Sequence, residues 1–73
     1  MEFFSDNCRH LVCKPHSREN LHKMAEILGI KKCWFHPSKN GLHYDIPKRR
    51  IIEIQAKTTV ISSKDIWRIC NGK

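Results

Sequence analysis

The sequence predicts a small α/β (α+β) domain from three patterns: a capped amphipathic helix, an aromatic hairpin, and a β-branched run leading into a second capping signature. Arg9-His10-Leu11-Val12-Cys13 is an apolar run that stops at Lys14-Pro15, where proline cannot donate to a ladder, so a first strand is expected over 9–13. Ser17 then stands as an N-cap. Leu21, Met24, Ala25 and Leu28 recur at i, i+3, i+4 and i+7, and Gly29 follows as a left-handed terminator, which predicts a helix over 18–28. Beyond Lys31-Lys32, the segments Cys33-Trp34-Phe35-His36 and Leu42-His43-Tyr44-Asp45-Ile46 flank the turn formers Pro37-Ser38-Lys39-Asn40-Gly41 and predict a β-hairpin. Pro47 suits a first helical position, and Ile51 with Ile54 make a one-sided stripe, so a second helix is expected over about 47–56. Thr58-Thr59-Val60-Ile61 is β-branched throughout and reads as a strand. Ser62, with Asp65 three residues on, predicts a capped last helix carrying Ile66, Trp67, Ile69 and Cys70 and ended by Asn71-Gly72.

Strand, helix, strand, strand, helix, strand, helix is the order of a ferredoxin-like split βαβ domain with one helix added. In that topology the first and third strands are parallel neighbours, and the helices that follow them start at the same end of the sheet. Two helix N-termini are then expected to converge, flanked by Lys14, His16, Ser17 and Arg18 on one side and by Lys48, Arg49 and Arg50 on the other.

Length and charge narrow the function classes. The 73 residues carry 14 Lys plus Arg against 7 Asp plus Glu, a formal charge of 14 − 7 = +7. One domain over 1–73 is expected, with a thin core and no deep, closed cleft of the kind large enzymes build. No apolar run approaches the ~18 residues that span a bilayer, and Met1–Cys8, with Glu2 and Asp6, is not a signal peptide. The expected compartment is the cytoplasm, or the host cytoplasm if the gene is viral, where Cys8, Cys13, Cys33 and Cys70 stay thiols or metal ligands. The positive balance directs the search to anionic partners: a nucleotide, a nucleic acid or an acidic protein surface, and no membrane.

His10-Leu11-Val12, Ser17, Leu21-His22, Ala25, Leu28-Gly29, Trp34-Phe35 and His43-Tyr44-Asp45-Ile46-Pro47 form a series. The series resembles that of a family of small bacterial and phage domains of unknown function with an HL…S…LH…A…LG…F…HYD(I/L/V)P signature, from His10 to Trp67. The segment before His10 is shorter here than the family pattern, and Pro37–Leu42 reads as a lengthened loop. The resemblance implies a shared fold order and a shared site around the histidines; it supplies no reaction and no catalytic residue.

Four constellations carry chemistry. Ser17 and the basic residues at the helix starts suit a phosphate, the adjacent guanidiniums of Arg49 and Arg50 above all, against the plainer role of an N-cap and a solvated face. His10, His22 and His43, with Tyr44 and Asp45, suit acid–base chemistry or an anion; against this stand structural roles for His10 and His22 and a helix cap for Asp45. Metal is weakly served, since Cys8-x₄-Cys13 and His36-x₆-His43 miss the usual ligand spacings, and no metal or cofactor is assigned. Trp34, Phe35, Tyr44 and Trp67 suit base stacking or the core, without an aromatic octamer signature. The leading expectation is a non-enzymatic module that binds a phosphate-bearing ligand, nucleotide or nucleic acid, through Lys14–Arg18, His43–Asp45 and Lys48–Arg50. The rivals are an inhibitor docking on an acidic surface of a host enzyme, including a defence enzyme, and a small nucleotide- or phosphodiester-processing enzyme using His10 and His43.

Overall fold

The computed structural model describes residues 1–39 and 41–72. Among these, one mixed five-stranded sheet and three α-helices are formed. The strands are β1 (Glu2–Ser5), β2 (His10–Lys14), β3 (Phe35–Ser38), β4 (Gly41–Asp45) and β5 (Thr59–Val60), in the spatial order β3-β4-β2-β1-β5. The helices are α1 (Arg18–Leu28), α2 (Ile51–Ala56) and α3 (Ser63–Cys70).

Helix α1 has the predicted bounds because both its ends are chemically marked. The Ser17 hydroxyl accepts from the Asn20 amide, and Gly29 takes the left-handed φ of 70° at the other end. Helix α3 starts the same way, with the Ser62 hydroxyl accepting from the Asp65 amide. Pro47 does not begin α2 directly. It precedes a 3-10 turn over Lys48–Arg50, and the α-helix proper starts at Ile51. The predicted hairpin is present with strands of the expected lengths shifted toward the turn, running to Ser38 and resuming at Gly41, while Cys33 and Trp34 fall in a 3-10 turn, so the segment expected as a long loop is largely ladder. The predicted turn includes Asn40, which lies outside the described residues.

Two further features differ from expectation. Glu2–Ser5 forms an unforeseen strand, β1, antiparallel to β2 and parallel to β5. More consequentially, β2 and β4 are neighbours but antiparallel, with His10 opposite Asp45 and Leu11 opposite Tyr44. The chain therefore leaves β2 and β4 at opposite ends of the sheet, and the starts of α1 and α2 do not converge. Arg50 makes the separation concrete: its guanidinium donates to the carbonyls of Leu28 and Gly29, so α2 begins where α1 ends.

The sheet is covered on both faces. Leu21, Met24, Ala25 and Leu28 of α1 are buried on the side of Leu11, Cys13 and Tyr44, and α3 covers the other side, that of His10, Val12 and His43. Leu11, Val12, Cys13, Tyr44, Ile46, Ile54 and Ile66 are all fully buried. Gly41 sits so close to α3 that a Cβ there would collide with Cys70.

Candidate functional site

Strand alternation sorts the candidate residues before any chemistry does. His10 and His43 share the α3 face, with Asp45 opposite His10 and His36 opposite His43. Tyr44 points the other way, into the layer of α1, where its hydroxyl lies 2.6 Å from His22 Nδ1 and its ring packs on Phe35. His22 is therefore separated from His10 and His43 by the thickness of the sheet. Of the Trp34-Phe35 pair, Phe35 packs on the core and Trp34 stays exposed.

On the α3 face the rings of His10 and His43 stand edge to face with centroids 5.2 Å apart. Trp67 of α3 covers both, 4.8 Å from His10 and 5.2 Å from His43, and His36 flanks His43 at 5.1 Å. Each imidazole is held by its Nδ1. His43 Nδ1 lies 3.0 Å from the Gly41 carbonyl, which can only accept, so this nitrogen carries the proton and donates. His10 Nδ1 lies 2.8 Å from Asp6 Oδ2.

Asp6 is the organiser that sequence reasoning missed. It is 1% exposed. Its Oδ1 accepts from the amides of Cys8 and His10, both at 2.9 Å, and its Oδ2 also accepts from the Ser63 hydroxyl at 2.6 Å. Burial on its own would raise this carboxyl; the donors, with Ser63, the His10 amide, the His10 ring and the Cys8 amide in that order, overcome it and hold the group below its ordinary range. The carboxylate thus ties the β1–β2 turn, the His10 ring and the start of α3 together. The available signal was Ser5-Asp6-Asn7, a run of turn formers directly before a strand.

Asp45 was a candidate cap for the second helix. No side-chain cap is made there, and Asp45 Oδ1 instead lies 3.3 Å from His43 Nε2. One donor atom from each of His10, His43 and Asp45 lies within 4.8 Å of the other two.

The remaining basic candidates divide between the two ends of α1. Lys14 and His16 line an open groove of about 510 Å³ with Arg68, Ile69, Cys70 and Gly72. His16 is fixed by its Nε2, which donates to the Leu42 carbonyl at 2.8 Å. Ser17 is occupied as the α1 cap. Arg49 belongs to a hollow at the far end of α1, with Gly29, Lys31, Trp34, Pro47 and Arg50. Arg50 is committed to the α1 carbonyls and to Glu53, 2.7 Å away, which lowers the Glu53 carboxyl to about 2 through the Arg50 and then the Lys57 hydrogen bonds. Arg68, from the last helix, joins this set with no local signal in the chain to mark it.

The model of one protein family, Protein of unknown function (DUF4031), matches residues 2–72. No curated protein and no solved structure matches the chain.

Proposed function

The chain belongs to the DUF4031 family, and from its own geometry we propose that it binds a phosphate-bearing ligand, a nucleotide or a nucleic-acid phosphate, in the groove between β2 and α3. The observation that carries this reading is the lining: Lys14, His16 and Arg68 reach one groove, and among the described residues no carboxylate lines it. Arg68 has an acidic neighbour outside that lining, Asp65 at 3.3 Å, but both side chains are half-exposed and such a pair exchanges readily for a stronger anion. A formal charge of +7 on 73 residues adds a long-range attraction for polyanions. The groove volume falls within the range of about 300–1,000 Å³ that small-ligand sites occupy.

The test is calorimetry with ADP, inorganic phosphate and a short single-stranded oligonucleotide at rising salt. Binding is expected at ~50 mM salt and to weaken steeply above it. Lys14→Ala with Arg68→Ala is expected to weaken affinity at least about tenfold and to flatten the salt dependence by about one unit of slope per lost phosphate contact. Arg49→Ala is expected to bind like the parent, because Arg49 lies roughly 15 Å away along α1. No binding at the lowest salt, or equal binding by the double variant, overturns the proposal.

A further inference from the structure

We propose that His10, His43 and Asp45 form a binding site for one divalent transition-metal ion of the zinc class, separate from the phosphate groove and not dependent on it. The proposal rests on where the protons are. With Nδ1–H of His43 given to a carbonyl and Nδ1–H of His10 given to a carboxylate, the outward nitrogen of each neutral ring, Nε2, carries a lone pair. Asp45 adds a carboxylate oxygen, an acceptor as well. Three residues with acceptor atoms are thus gathered on one face of the sheet, one ring nitrogen or carboxylate oxygen of each lying within 4.8 Å of the others. A cation between them would offset the mutual repulsion of these acceptors.

The Nδ1 hydrogen bonds follow the habit of metal-bound histidines, which pass their other N–H to a carboxylate or a backbone carbonyl that sets the tautomer and aims the ring. Asp6 and the Gly41 carbonyl are those two partners. The spacing of one ligand pair agrees as well. Ligands at about 2.0–2.1 Å from a tetrahedral ion stand about 3.3–3.4 Å apart, and His43 Nε2 and Asp45 Oδ1 are 3.3 Å apart. Trp67 walls the site, and His43 is almost wholly buried while Asp45 is half-exposed, so the ion meets protein on one side and solvent on the other. Two imidazoles and one carboxylate with a solvent-facing position form the ligand set of sites that hold an exchangeable water or a substrate oxygen. The ligands escape a spacing search because β2 and β4 bring them together across the sheet; only His43 and Asp45 are close in sequence.

The experiment uses the full chain carrying Cys8→Ser and Cys33→Ser, which removes the exposed thiols as rival ligands. Zn²⁺ is titrated by calorimetry and Co²⁺ by visible absorption. The expected result is one equivalent bound, a Co²⁺ ligand-field band, and a thermal midpoint that rises with excess Zn²⁺. Asp45→Asn, at a half-exposed position that the fold tolerates, is expected to weaken binding at least about a hundredfold, and Asp6→Asn, a positioning change, about 10- to 100-fold. Circular dichroism of both variants verifies that they are folded. Lys14→Ala with Arg68→Ala is expected to leave metal binding unchanged, which keeps this test apart from that of the groove. The proposal is overturned if the parent takes up no Zn²⁺, in which case His43 and Asp45 form only an imidazolium–carboxylate pair, or if Asp45→Asn binds Zn²⁺ as tightly as the parent.

Discussion

Cys13 is buried and Cys70 half-buried, whereas Cys8 and Cys33 are exposed. Burial raises the Cys13 thiol, and burial together with the nearby Cys13 pushes Cys70 up to about 11. Because the thiolate is the reactive form, alkylation of the native chain followed by mass spectrometry is expected to modify Cys8 and Cys33 only, with Cys13 and Cys70 reacting after denaturation. Rapid native labelling of Cys70 would contradict its packing against Gly41 and Leu42. The same scale shows what was legible at the candidate site. His10 and His43 stood out as a pair because few residue types titrate near neutrality, and their face of the sheet follows from strand alternation. Asp6 was legible only as a turn residue: its bond to Ser63, fifty-seven residues away, is one that no local pattern announces.

At the scale of elements, α1 carries the clearest consequence of sequence marking. Leu21 is fully buried in its stripe, and Leu21→Ala is expected to cost about 2–5 kcal/mol through lost transfer energy and the cavity left behind. Urea unfolding monitored by tryptophan fluorescence measures it; a change under about 0.5 kcal/mol, the range of surface substitutions, would show that α1 contributes little to the core. Helices α1 and α3 were legible because a serine cap and an apolar period mark them locally. Strand β1 was not, since Glu2-Phe3-Phe4-Ser5 is short and its two aromatics are adjacent rather than alternating. Pairing direction follows from the connections: α1 carries the chain over so that β3 runs parallel to β2, and the hairpin then turns β4 back against both.

For the molecule as a whole, acid is the informative stress. His22 is lowered from 6.5, first by burial and then by the charges of Lys32 and Arg18, so the unfolded chain takes up a proton there before the folded chain does. Its contribution to stability is present above 6.5 and is lost as the pH falls through the folded value. Asp6 is lowered from 3.8, and its contribution is likewise present above that value and lost below it. Thermal midpoints followed from neutral pH into acid are therefore expected to decline in two stages, with His22→Gln removing the first and retaining the second. A single decline in both chains contradicts the assignment. The spatial order of the strands has its own consequence for how copies of the chain meet. An unpaired outer strand is a template for stacking a neighbour's backbone, and the two outer strands here are poor templates. β5 offers only Thr59–Val60, and β3 is interrupted by Pro37, which has no amide to donate. The long, regular strands β2 and β4 are enclosed between partners, so the fold resists edge-to-edge aggregation by the order in which it lays its strands down.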